Sequence, residues 1–178
     1  VMCPFYKVWK SMISRCYSSK LQERHQTYIG CSVTKEWLTF STFREWMKTQ
    51  DWKGKHLDKD ILIIGNKEYS PSRCLFVSGS INTLLLDSAA IRGDYPQGVH
   101  FNKESGKYVA QCRENGKKRY LGLFATASAA EVAYLSFKSI LISNIAYESE
   151  GLSNKKLQAA LIIYAGLLEK KYKLIELK

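Results

Sequence analysis

Phe5, Val8, Trp9, Met12, Ile13 and Cys16 recur at three- and four-residue steps. That spacing lines one face of a helix and predicts an amphipathic helix over residues 4–20. Trp37, Phe40, Phe43, Trp46 and Met47 repeat the pattern and predict a second helix over residues 34–50, with Thr34 near its start. Both aromatic stripes read as core rather than as a binding groove. Residues 56–78 change character. Residues 56–62 predict a strand, Gly65-Asn66 a turn, and residues 74–77 a second apolar strand, before a short helix opens at Ser80.

Residues 87–96, with Gly93, Asp94 and Pro96, read as a linker. Three strands follow in close order, over residues 98–102, 107–113 and 117–122. Their turns are Glu104-Ser105-Gly106 and Glu114-Asn115-Gly116, both hairpin signals. In the middle strand the alternation puts Tyr108, Ala110 and Cys112 on one face and Lys107, Val109, Gln111 and Arg113 on the other. In the third, Lys118 and Tyr120 share a face opposite Arg119 and Leu121. Thr126 caps a helix over residues 127–143, and its small residues Ala130 and Ala133 allow close packing on a sheet. A last helix over residues 153–171 carries Leu157, Leu161, Tyr164 and Leu168 on one face and ends in Lys170, Lys171 and Lys173. Packing is its first expected role. A homodimer contact and a phosphate contact are the others.

The predicted fold class is therefore α+β. Amino-terminal helices and a small ββα finger come first, then a three-stranded antiparallel sheet packed on a helix, then a carboxy-terminal helix. The expected division is a finger domain over 1–86, a linker over 87–96, a sheet domain over 97–146 and a terminal helix over 147–178.

Charge narrows the partners. Lys plus Arg number 27 against 16 Asp plus Glu, a net +11 in 178 residues, which favours a polyanion. Lys103, Lys107, Arg113, Lys117, Lys118 and Arg119 all fall in the strand region, with Glu104 and Glu114 as its only acids. A sheet covered on one side and presenting Gln, Arg, Lys and Tyr on the other has the chemistry to read a DNA groove. No apolar run is long enough to span a membrane. Five scattered cysteines and no secretory signal point to a reducing, cytoplasmic setting. Cys3, Cys16, Cys31 and His25 do not match a common zinc module, and thiols in or near the core are the favoured reading. The chain opens Val-Met, so a start upstream of Val1 is expected.

The run G-V-H-F-N-K-E-S-G-K-Y-V-A-Q-C-R, then K-R-Y-L-G-L-F-A-T, then A-A-E-V-A-Y, resembles the ethylene-response-factor type of DNA-binding domain over residues 97–141. That family is best known in plants and also occurs fused to phage and mobile-element nucleases. The resemblance implies a sheet seated in the major groove of double-stranded DNA. Carried over by position, its contacts would be Gln97, His100, Asn102, Gln111, Arg113, Lys118 and Tyr120. Gln97, His100 and Asn102 stand where the family has arginines, and Tyr120 where it has a tryptophan. The plant target sequence does not carry over.

The run L-D-K-D-I-L-I-I-G-N-K-E-Y-S-P-S-R-C-L-F-V-S-G-S-I-N resembles the HNH, or His-Me finger, nucleases of phage homing endonucleases. With the W-K-S-M-I-S-R-C-Y opening, it resembles phage proteins that join such a finger to the sheet domain. The resemblance implies a DNA endonuclease in which Asp58 and Asn82 hold Mg²⁺ or Mn²⁺ beside a histidine that activates water. Lys59 occupies the histidine position, and a lysine at its ordinary pKa is protonated at neutral pH. Three readings stay open: a finger that only binds DNA, a shifted base at His56, or a Lys59 whose pKa is lowered beside the metal. The whole reads as a double-stranded-DNA-binding protein of phage or mobile-element type acting in the host cytoplasm, either endonuclease or non-enzymatic regulator.

Overall fold

A computed structural model describes residues 3–86 and 93–177, and the chain divides into two compact units, Val1–Thr83 and Leu84–Lys178. The class is α+β, as the sequence pattern predicts. Most of the expected linker, residues 87–92, lies outside the described residues.

In the first unit, α1 (Pro4–Tyr17) opens with proline at a first-turn position, where the missing N–H has no helical partner to lose. It ends at Ser18, which is extended and whose Oγ accepts the Leu21 N–H at 3.4 Å to start α2 (Ser19–Arg24). The single helix expected over residues 4–20 is thus two. After β1 (Ser32–Val33) comes a 3₁₀ turn, Lys35–Leu38, and then α3 (Phe40–Lys48), with Thr39 extended between them. This break corrects the expected helix over residues 34–50, and packing explains it. Trp37 and Phe43 would point roughly 120° apart on one continuous helix. With the break both are buried and their rings meet edge to face at 5.1 Å. Met12, Cys16 and Met47 complete this core, and each large side chain buried there contributes about 2–3 kcal/mol. Trp9 Nε1 donates to the Trp37 carbonyl at 2.7 Å and ties α1 to the turn.

Two short ladders close the unit. β1 pairs in parallel with β3 (Glu68–Tyr69), while β2 (His56–Asp58) pairs antiparallel with β4 (Leu75–Val77). The helix α4 (Gly79–Leu85) follows β4, which gives a ββα arrangement. The strand expected over residues 56–62 stops at Asp58. There the Asp58 Oδ1 accepts the N–H groups of Asp60 and Ile61 at 2.9 and 2.7 Å, a local side-chain turn that displaces the ladder.

In the second unit, β5 (Val99–Asn102), β6 (Lys107–Glu114) and β7 (Lys117–Phe124) form an antiparallel meander in that spatial order. Asn115 and Gly116 both have positive φ, 50° and 75°, as the tight two-residue hairpin turn requires. Thr126 Oγ1 accepts the Ala129 N–H at 3.1 Å and caps α5 (Ala127–Ala146). Ala110 and Ala130, both fully buried, let that helix lie close on the sheet. Gly98, at φ +76°, sits under it. A Cβ there would lie 2.1 Å from the Tyr134 ring and 2.7 Å from the Gln111 carbonyl oxygen, so only glycine fits. After α6 (Ser149–Ser153), α7 (Lys155–Glu176) packs along α5 through Leu157, Ala160, Leu161 and Ala165. Ser139 Oγ donates to the Ala165 carbonyl at 2.9 Å in that seam. The terminal helix is therefore an integral part of the second unit.

Candidate nucleic-acid interface

The register of the meander assigns each side chain to a face. Val99 pairs with Ala110 and Ala110 with Gly122, and these pack under α5 with Tyr108 and Phe124. The opposite face follows by alternation: Asn102 with Lys107, then His100 with Val109 and Leu123, then Gln111 with Tyr120, then Arg113 with Lys118. The ladder shifts register between Ala110 and Gln111, a bulge on β7 at Leu121 and Gly122. Gly122 takes φ +140° there. The extra residue reverses the alternation, so that Leu123 joins the outer face and Phe124 the inner one. Sequence alternation alone does not place Leu123 outward.

His100, Arg113 and Lys118 are exposed on this face, and Tyr120 is 63% exposed. Gln111 is half-buried between its neighbours. Asn102 serves the first turn, its Oδ1 accepting the N–H groups of Glu104 and Ser105 at 2.9 and 3.1 Å. Gln97 stands apart from the other six. Its Oε1 accepts from Lys138 Nζ at 3.1 Å and its Nε2 donates to the Leu86 carbonyl at 2.9 Å. Lys138, the lone lysine of α5, is 5% exposed, with its ammonium 5.5 Å from the Tyr134 ring centroid. The sequence signal for this contact is a single lysine inside an apolar helix.

Lys103, Lys107, Arg113, Lys117, Lys118 and Arg119 are all exposed, and none is ion-paired with a described residue. Arg113 and Lys118 stand directly opposite one another across the ladder. Like charges in that position repel. The sheet thus presents exposed positive charge in excess of its own acids, Glu104 in the first turn and Glu114 opposite Lys117.

In the first unit, the residues expected to do chemistry are divided between a surface and an interior. His56 is exposed at the end of β2, with its ring edge over Gly79 at the start of α4. Asp58 is half-buried on the same strand face. Asp60, expected on that face as well, lies beyond the strand end. Lys59 turns inward and is 6% exposed. Its Nζ donates to Asp60 Oδ2 at 2.8 Å and to the Asn66 carbonyl at 3.0 Å. Asn66, also buried, donates back to the Lys59 carbonyl at 2.6 Å and to the Glu68 carbonyl at 2.7 Å. Lys59 and Asn66 together pin the loop between β2 and β3.

Burial, and next the Asp60 carboxylate, push the Asp58 carboxyl up to about 6, against the pull of the two backbone N–H groups. Its Oδ1 is taken by those N–H groups. Asn82, half-buried, lies on α4. Among the described residues no three His, Cys, Asp or Glu side chains gather in a way that could hold a metal ion. One remaining carboxylate oxygen and one amide make a thin donor set for Mg²⁺ or Mn²⁺, which take about six oxygen ligands. Cys16, Cys31 and Cys74 lie in the core, and burial raises the Cys16 and Cys74 thiols to about 12, so both stay protonated.

Compared with family models, curated proteins and solved structures, the chain has no match in any of the three. Among the described residues, no helix is long and apolar enough to cross a membrane.

Proposed function

We propose that the protein binds double-stranded DNA through the outer face of β5–β7, and that the finger is a scaffold rather than a nuclease. The observation that carries this reading is the exposed Lys107, Arg113 and Lys118, none ion-paired with a described residue, at the ends of a face that carries His100, Gln111 and Tyr120 between them. Three strands about 4.8 Å apart make a ribbon narrow enough for a major groove about 12 Å wide. Cations at its margins would neutralise phosphate, and the groups between them would face base edges. The resemblance to the ethylene-response-factor type of domain favours the same docking.

The burial of Lys59 favours the scaffold reading of the finger. An ammonium committed to Asp60 and to a backbone carbonyl is neither a free base nor within reach of a bound phosphodiester. A homing-type endonuclease using Mg²⁺ or Mn²⁺, with His56 as base, is the second reading. It is favoured by the ββα arrangement and by an Asp58 carboxyl held in a costly environment. A phage or mobile-element regulator acting in the host cytoplasm fits the first reading.

Duplex-binding titrations and a nicking assay in Mg²⁺ and Mn²⁺ test the proposal together. The expected result is tight binding that weakens linearly in log–log salt plots, with no strand cleavage. Cleavage abolished by Asp58→Ala or Asn82→Ala would overturn the scaffold reading. Absence of duplex binding at low salt would overturn the whole.

A further inference from the structure

We propose that the outer sheet face selects duplexes rich in 5-methylpyrimidines, thymine above all, instead of reading guanine; this rests on the docking proposed above. The two central rows hold His100, Val109 and Leu123, then Gln111 and Tyr120. The face's cations stand at its two ends, Lys107 beside the first turn and Arg113 with Lys118 beside the second. Val109 and Arg113 are four residues apart, roughly 13 Å at about 3.3 Å per strand residue. Guanine is read by a cation placed over its O6 and N7. The centre of this face has none.

What the centre offers is apolar surface and an amide. Leu123 is 39% exposed and Tyr120 63%, with Val109 filling the floor beneath them. Apolar side chains have one complement on a major-groove base edge, the C5-methyl group of thymine, which 5-methylcytosine shares. Gln111 supplies the donor–acceptor pair that matches adenine N6 and N7. The backbone supports the same assignment independently. Leu123 reaches the outer face only through the bulge at Gly122, whose φ of +140° is a conformation that side-chain-bearing residues rarely adopt. A Cβ on Gly122 would also meet the Phe124 ring at 3.0 Å. The fold thus uses a glycine-dependent irregularity to turn a leucine outward, into the middle of a charged face.

The test is an anisotropy titration of the whole protein with four labelled duplexes at about 100 mM salt, where phosphate contacts alone do not saturate binding. One is A·T-rich, and one is the same sequence with deoxyuridine for thymidine. One is G·C-rich, and the last is that sequence with 5-methylcytosine for cytosine. The expected result is about five- to tenfold weaker binding on replacing thymidine by deoxyuridine, with a gain of similar direction on methylating cytosine. Leu123→Ala, at an exposed position that does not support the core, should shrink the thymidine–deoxyuridine difference and leave the salt slope unchanged. Salt-dependent binding that is equal for thymidine and deoxyuridine duplexes would overturn methyl recognition while leaving docking intact. No binding to any of the four at low salt would overturn the docking reading itself.

Discussion

Replacing Arg113 and Lys118 together by alanine is expected to weaken duplex binding about 100-fold at about 100 mM salt, and to reduce the log–log salt slope by about two. The two side chains are exposed, face one another across β6 and β7, and have no ion-pair partner among the described residues. If each neutralises one phosphate, each accounts for about 0.9 of the slope. The same geometry separates lost binding from lost folding. Like charges directly opposite on a ladder repel by a few tenths of a kcal/mol, about 0.2–1 for a cross-strand pair. Removing both should therefore leave the melting temperature unchanged or slightly higher. Anisotropy titrations over a salt series, with a melt of the same preparation, give both numbers. A double variant that melts normally and binds as tightly as the parent would contradict the docking model.

Asp58→Asn should stabilise the protein at pH 7 by about 3 kcal/mol, taking about 1.4 kcal/mol per unit of pKa displacement. The folded-state carboxyl is raised to about 6 from an ordinary 3.8, by burial first and by Asp60 second. In the folded state the proton is held more tightly than in the unfolded state. The sign follows: stability from this group is fully present below about pH 4, declines as pH rises through about 6, and is lost above it. Asparagine keeps the oxygen that accepts from Asp60 and Ile61 and never carries the charge. The advantage of the variant should be near zero at pH 4 and fully developed by pH 7. Urea melts at the two pH values measure it. A variant less stable than the parent at pH 7 would mean that the Asp58 carboxylate is stabilising, and that its surroundings attract an anion more than burial penalises it.

The second unit was more legible in the sequence than the first, for physical reasons. Its strands are long enough to show alternation, and Asn115-Gly116 marks a turn that few other residue pairs can make. Gln111, Arg113, Lys118 and Tyr120 follow from that alternation, while His100 and Asn102 come from the family resemblance. Leu123 does not follow from it, because a bulge changes the period without leaving a compositional trace beyond one glycine. Gln97 looks like a surface residue in sequence, since its partner Lys138 lies 41 positions away. In the first unit the strands are two or three residues long, below what a periodic pattern can mark. The parallel pairing of Ser32–Val33 with Glu68–Tyr69 is of that kind. The burial of Lys59 was hidden for another reason: one of its two partners is the Asn66 backbone carbonyl, and backbone groups carry no sequence signature.

Residue-level protection of lysines tests most directly whether duplex DNA seats on the outer face of β5–β7. The whole protein is acetylated with and without a short duplex at about 100 mM salt, and modification at each lysine is followed by mass spectrometry. Slower modification at Lys107, Lys117 and Lys118, with Lys155 and Lys156 on α7 unchanged, is the predicted result. Unchanged rates at Lys107, Lys117 and Lys118 while the duplex is bound would contradict it.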